Sequence, residues 1–158
     1  MKPYDRLLEH NIKPSMQRIA IMEYLMEHPI HPSADDIYTA LSPSMPTLSK
    51  TTVYNTLKLF SEQGAALMLT IDEKNTNFDA DTSVHSHFLC KRCGHIYDLE
   101  CPEAIKQVEN LEMDGHQVSE VHYYYKGICK NCLSKDKETR IDLSLIHISE
   151  PTRQEAIS

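Results

Sequence analysis

The chain has no run of about 18 apolar residues, the length of a bilayer-crossing helix, so no membrane span is expected. Its first residues, Met1-Lys2-Pro3-Tyr4-Asp5, have no apolar secretion-signal core. Basic residues are the scarcer charge: 16 Lys and Arg stand against 23 Asp and Glu, a formal net charge of −7. That balance argues against strong nonspecific attraction to nucleic acid, although a local basic face suffices for well-placed contacts. Cysteine is sparse too, five in 158 residues. Four of the five fall in Cys-x-x-Cys pairs, a pattern that suits metal binding in a reducing cytoplasm rather than a disulfide scaffold. The fifth, Cys101, is expected to be a partly buried bystander.

Those pairs, Cys90-Lys91-Arg92-Cys93 and Cys129-Lys130-Asn131-Cys132, are the most informative feature present. Four thiolates form a soft tetrahedral cage, and zinc is the metal that best suits one. The stretch between the pairs, residues 94–128, is too long for a minimal zinc ribbon and must hold structure of its own. A second donor set has a different character: Asp79, His85, His87 and, shortly after, Asp98 offer nitrogen and oxygen. One site reads as a staple and the other as a sensor. A hydrophobic content of 41% is enough for cores. A domain near ~60 residues is marginal alone, however, and gains from a metal.

The first half patterns as helices. Ser15 caps a segment to Glu27 with Met16, Ile19, Met22 and Met26 at helical spacing. Two prolines in residues 28–32 break it, and Ser33 with Asp36 opens a short helix striped by Ala34, Ile37, Tyr38 and Leu41. Ser49 starts a third, Lys50–Phe60, with Val53, Leu57 and Phe60 inward and Gly64 as its stop. Residues 65–72 and 76–80 then read as a hairpin. Three helices and a hairpin are the order of a winged helix-turn-helix, here residues 1–80, whose third helix is the reader. Its outward positions are Lys50, Thr51, Tyr54, Asn55 and Lys58, groups suited to phosphates and base edges. The same residues on an isolated helix would equally make a solvated face.

Residues 81–83 are the expected hinge. Beyond it, 84–138 should form a small α/β domain. Strands are expected at His87–Cys90, His95–Glu100 and Gln117–Ile128, with a helix over Pro102–Met113. Exposed strands there would pair with a second copy, giving a homodimer. The fold class is therefore α+β.

Several segments together carry a resemblance. They are Asn11-Ile12-Lys13-Pro14-Ser15-Met16-Gln17-Arg18, His31-Pro32-Ser33-Ala34-Asp35-Asp36-Ile37-Tyr38, Thr52-Val53-Tyr54-Asn55-Thr56-Leu57, Asn77-Phe78-Asp79, His85-Ser86-His87 and both cysteine pairs. These resemble the ferric uptake regulator (Fur) family over residues 4–135. The resemblance implies a homodimeric, metal-dependent bacterial repressor that binds a double-stranded DNA operator and carries structural Zn²⁺. It also implies a regulatory Fe²⁺ or Mn²⁺ site made of His31, Asp79, His85, His87 and Asp98. Aspartate at both 79 and 98 resembles the peroxide-responsive repressors of that family, in which bound iron reacts with H₂O₂ and a ligand histidine is oxidised. His31 and His85 match those histidines. Independently, three imidazoles and two carboxylates suit Fe²⁺ or Mn²⁺ better than thiolates do. The alternatives are an iron-responsive or other metal-responsive repressor on the same scaffold, or a zinc-ribbon interaction module. A zinc enzyme is disfavoured because a closed Cys₄ site leaves no position for water. Residues 139–158 are expected to be a flexible tail without a family counterpart.

Overall fold

A computed structural model describes residues 1–83, 85–100 and 112–143. Four helices open the chain: α1 (Pro3–Glu9), α2 (Met16–Glu27), α3 (Ala34–Leu41) and α4 (Lys50–Glu62). A two-stranded wing follows, β1 (Leu67–Leu69) antiparallel to β2 (Asn77–Asp79). Serine starts three of the helices. Ser15 Oγ accepts from Arg18 N, and Ser49 Oγ accepts from Thr52 N. Ser33 and Asp36 form a reciprocal capping box. Each such cap is worth about 1 kcal/mol. Gly64 ends α4 in the left-handed region at φ 78°, a conformation that costs a residue without Cβ nothing.

The core of this unit is Leu7, Ile21, Met22, Leu25, Ile37, Val53, Leu57, Phe60 and Phe78, all fully buried. Leu7 belongs to α1, which the helical pattern from Ser15 onward did not include. Of the stripe expected on α2, Met22 is buried and Ile19 and Met26 pack partly buried against the core, but Met16 misses it. Met16 is 83% exposed, and the buried positions are Ile21, Met22 and Leu25. Met16 is the first residue of its helix, whereas the core face is set further along, where α1 and α3 pack. The wing strands are shorter than expected. Asp72 Oδ1 accepts from Lys74 N at 2.9 Å, and this local bond competes with ladder pairing.

The second unit holds β3 (Ser86–Cys90), β4 (Ile96–Leu99), β5 (Glu112–Met113), β6 (His116–Gln117), β7 (Tyr124–Gly127) and α5 (Lys130–Leu143). Its main sheet has the order β4-β3-β7, with β3 antiparallel to β4 and parallel to β7. A parallel neighbour demands a long crossover. The gap between the cysteine pairs supplies it. The helix expected over Pro102–Met113 lies, apart from its end, outside the described residues, as does Cys101. Its last two residues are strand β5, turned into β6 by Asp114 and Gly115 at positive φ. The single strand expected at Gln117–Ile128 is two pieces, β6 ending at Gln117 and β7. Helix α5 runs on to Leu143, so residues 139–143, expected in the tail, are helical. No helix among the described residues is long and apolar enough to cross a membrane.

Candidate metal centre

Cys90 ends β3, Cys93 follows the knuckle turn, and Cys129 and Cys132 stand on either side of the start of α5. The Cys90–Cys132 and Cys93–Cys129 sulfur pairs are both 3.8 Å apart, and all four sulfurs lie within 4.8 Å of one another. A tetrahedral ion with Zn–S bonds of about 2.3 Å requires sulfur–sulfur edges of about 3.8 Å. The cage therefore fits zinc. Cys90 Sγ accepts from Cys93 N at 3.4 Å and from Cys129 N at 3.3 Å, and Cys129 Sγ from Cys132 N at 3.5 Å. Those backbone donors, Cys93 N–H first, bring the Cys90 thiol down to about 5. The Tyr97 hydroxyl lowers the Cys129 thiol from its ordinary value, while burial pushes Cys132 up to about 12. One cysteine is thus poised as a thiolate before any ion arrives.

The nitrogen and oxygen donors also converge. His31 sits in the α2–α3 connection, Asp79 ends β2, His85 and His87 bracket the start of β3, and Asp98 is on β4 opposite His87. Asp79 Oδ2 lies 3.4, 3.1 and 3.3 Å from the Nε2 atoms of His31, His85 and His87. Asp98 Oδ1 lies 2.7, 3.2 and 3.3 Å from the same three atoms. Ligand atoms of His31, Asp79, His87 and Asp98 all fall within 4.8 Å of one another. His85 joins them through both carboxylates. Asp98 is the one ligand with an exposed side chain, at 44%.

Three of the donors are held by neighbours. Asp79 Oδ1 accepts from Asp81 N at 2.9 Å, which leaves Oδ2 for the cluster. His85 Nδ1 donates to the Ser83 carbonyl at 2.7 Å, presenting Nε2 as a lone pair. His31 is held by its backbone instead. Its φ of 58° costs a non-glycine residue about 1–2 kcal/mol. Asn77 Nδ2 offsets that by donating to the His31 carbonyl at 2.7 Å, and Phe78 N donates to the Pro32 carbonyl. The His31 loop is therefore stitched to the strand that carries Asp79. From α1, Arg6 Nη2 donates to the carbonyls of Ala65 and Ala80 and so fixes the exit from β2. Sequence patterns gave no role to Arg6, Asn77, Ser83 or Tyr97. Arg6 and Asn77 reach backbone carbonyls and Tyr97 a sulfur, all distant in the chain, while Ser83 acts through its own carbonyl, which no side-chain pattern encodes.

Without an ion, the cluster balances its charge with protons. The bond to Asp79 raises His85 to about 9. Burial lowers His31, but the bonds to Asp79 and Asp98 outweigh it and the net direction is up. Burial would raise Asp79, yet its three imidazole partners hold it far below the usual carboxylate range. A divalent cation supplies the same positive charge at the same place, so the donor set fits one and must exchange protons to take it.

The five reader positions, Lys50, Thr51, Tyr54, Asn55 and Lys58, are all exposed on α4. Lys50 lies over the Tyr38 ring at 5.7 Å and within 3.8 Å of Asp35. A polar groove between α2 and α4 adds Gln17 and Arg18 beside Asn55 and Thr52.

The sequence pattern of the Ferric uptake regulator family matches residues 9–126. The chain belongs to the ferric uptake regulator family. Among curated relatives, the peroxide operon regulator of Bacillus subtilis is 39% identical over 134 residues, 84% of this chain and 92% of that protein. The peroxide-responsive repressor PerR of Staphylococcus aureus is 36% identical over 131 residues, 82% and 88% of the two chains. A solved ferric uptake regulator from Pseudomonas aeruginosa with manganese superposes with a TM-score of 0.65 at 25% identity, over 82% of this chain and 99% of that one. The Fur family consists of transcription regulators, and two metal-capable clusters lie on the α+β fold among the described residues.

Proposed function

We propose that this chain is a homodimeric repressor whose grip on a double-stranded DNA operator is set by Fe²⁺ or Mn²⁺ at the five-ligand cluster, with peroxide as the signal. The observation that carries this is where the ligands come from. His31 and Asp79 belong to the winged helix, and His85, His87 and Asp98 lie beyond residues 81–83. A cation held by all five fixes the angle between the two units. Shifting such a hinge from 1:99 to 99:1 takes about 5.5 kcal/mol of differential binding, within reach of a few coordinate bonds. Residues Tyr54 and Asn55 then read bases, while Lys50 and Lys58 contact phosphate. Lys58→Ala should weaken binding evenly across sequences and reduce the salt slope by about one unit; an unchanged slope places α4 away from DNA.

Ferrous iron, held by these five residues, would supply the electrons that reduce peroxide beside the ligand imidazoles. His31 and His85 are the targets, one on each side of the hinge. Oxidation of either ring weakens its Nε2 as a donor and removes a tie between the units. Iron-loaded protein should therefore lose operator binding on exposure to peroxide, with oxygen added at His31 or His85 by peptide mass spectrometry. Manganese-loaded protein should keep binding. A second reading, metal response without oxidation, draws on the nitrogen and oxygen donor set, which alone suffices for it. Iron-loaded protein that takes peroxide, shows unoxidised histidines and still holds DNA decides for that reading.

A further inference from the structure

Tyr124, on β7, stands opposite His87 in the parallel ladder. Its ring meets that imidazole edge-on, centroids 6.4 Å apart. In the other direction its hydroxyl oxygen accepts a hydrogen bond from Thr70 N at 3.3 Å. Thr70 follows β1 and lies between Leu69 and Ile71, two residues with no exposed surface. Neither of them packs in the winged-helix core. They form a separate cluster with Ile96, flanked by Leu67, Leu89 and Tyr124. An apolar seam thus joins the wing to the second unit, and Tyr124 is its polar clasp. Moving the wing away would uncover Leu69 and Ile71, which is unfavourable, and hand the Thr70 amide from Tyr124 to water.

We propose that Tyr124 is a positioning residue that fastens the wing to the second unit and couples the placement of His87 to it. The role rests on the repressor reading above, which makes His87 a ligand of the regulatory ion. A shift of His87 moves β3, and the parallel ladder carries β7 and Tyr124 with it. The wing then loses or regains the clasp. Coupling of this kind runs through packed elements that touch both sites, and the seam is packed against the wing on one side and against β3 and β7 on the other.

Hydrogen exchange on the full-length, zinc-containing chain tests the clasp directly. In the wild-type chain the Thr70 amide should exchange at least tenfold more slowly with manganese bound than without it. Tyr124→Phe keeps the ring and loses only the hydroxyl. It should retain zinc and one manganese per chain, lose the metal dependence at Thr70, and bind operator five- to twentyfold more weakly in its manganese form. Ile71→Ala, which leaves the hydroxyl in place, should reduce the Thr70 protection in the same direction. No metal dependence at Thr70 in the wild-type chain, or an equal dependence in Tyr124→Phe, overturns the proposal. Failure of the manganese-loaded wild type to bind DNA would instead count against the repressor reading, and the Thr70 exchange would still decide the clasp.

Discussion

Cys90→Ser should lose zinc and the ordered second unit together, while the winged helix stays folded. Cys90 is the hub of its cage. It has no exposed surface, faces Cys132 at 3.8 Å, and collects backbone N–H bonds from both knuckles. A serine hydroxyl is a harder and poorer ligand, and it leaves those two amides without the large, polarisable acceptor they surround. The main sheet has three strands of four or five residues, and among the described residues Phe88, Tyr97 and Ile128 are the apolar groups packed on the cysteines. Without its ion it falls below the size at which a core sustains itself. Zinc measured by mass spectrometry should drop from one per chain to less than a tenth, and sedimentation should show monomers. The helical signal of α1–α4 should persist, because their core includes none of the cysteines. A zinc-free Cys90→Ser chain that still dimerises would falsify the staple role.

The second large effect is expected at Asp79. Its Oδ2 lies within 3.4 Å of all three imidazoles, and the side chain is 4% exposed. Asp79→Ala removes a ligand and the main negative charge facing three buried rings. Manganese affinity should fall by more than about 100-fold, beyond the 10–100-fold usual for loss of a supporting residue. Zinc content should be unchanged, since this carboxylate bonds to the three imidazoles and Asp81 N and the four cage cysteines form a separate cluster. Metal-dependent operator binding should disappear at manganese concentrations that saturate the wild type. Titration calorimetry on zinc-replete protein checks the first effect and fluorescence anisotropy the second. Wild-type manganese affinity in this variant would remove Asp79 from the ligand set.

Both sites were legible in the sequence to different depths. The cysteine cage was readable from spacing alone, because a knuckle is a local structure. Four of the five nitrogen and oxygen donors stood out as a cluster, but His31 did not. It is 67 residues from Asp98, and only the fold brings Nε2 and Oδ1 to 2.7 Å. Helix caps at Ser15, Ser33 and Ser49 were legible because a cap needs only its own turn. Ile19, Met22 and Met26 of α2 were legible too, but the choice between Met16 and Ile21 as core was not, since it is made by α1 and α3. Division of the expected Gln117–Ile128 strand was equally hidden. The Asp114–Gly115 turn claims its beginning and the parallel edge of β3 claims its end. Tyr124 escaped notice because nothing local distinguishes it from Tyr123 or Tyr125. Its significance lies in the partner across the ladder.

The parallel pairing of β3 with β7 also sets a timetable. During synthesis the winged helix emerges first and can fold as a unit, with His31 and Asp79 already in place. Strand β3 follows, but its neighbour β7 and the second cysteine pair come later, and the Cys90–Cys132 contact spans 42 residues. Until that loop closes, His85, His87 and Asp98 have no finished sheet to stand on. A nascent chain is therefore deaf to the regulatory ion, and zinc capture is the step that switches its hearing on. The number of zinc-filled chains, rather than the total number of chains, then limits how many molecules can respond.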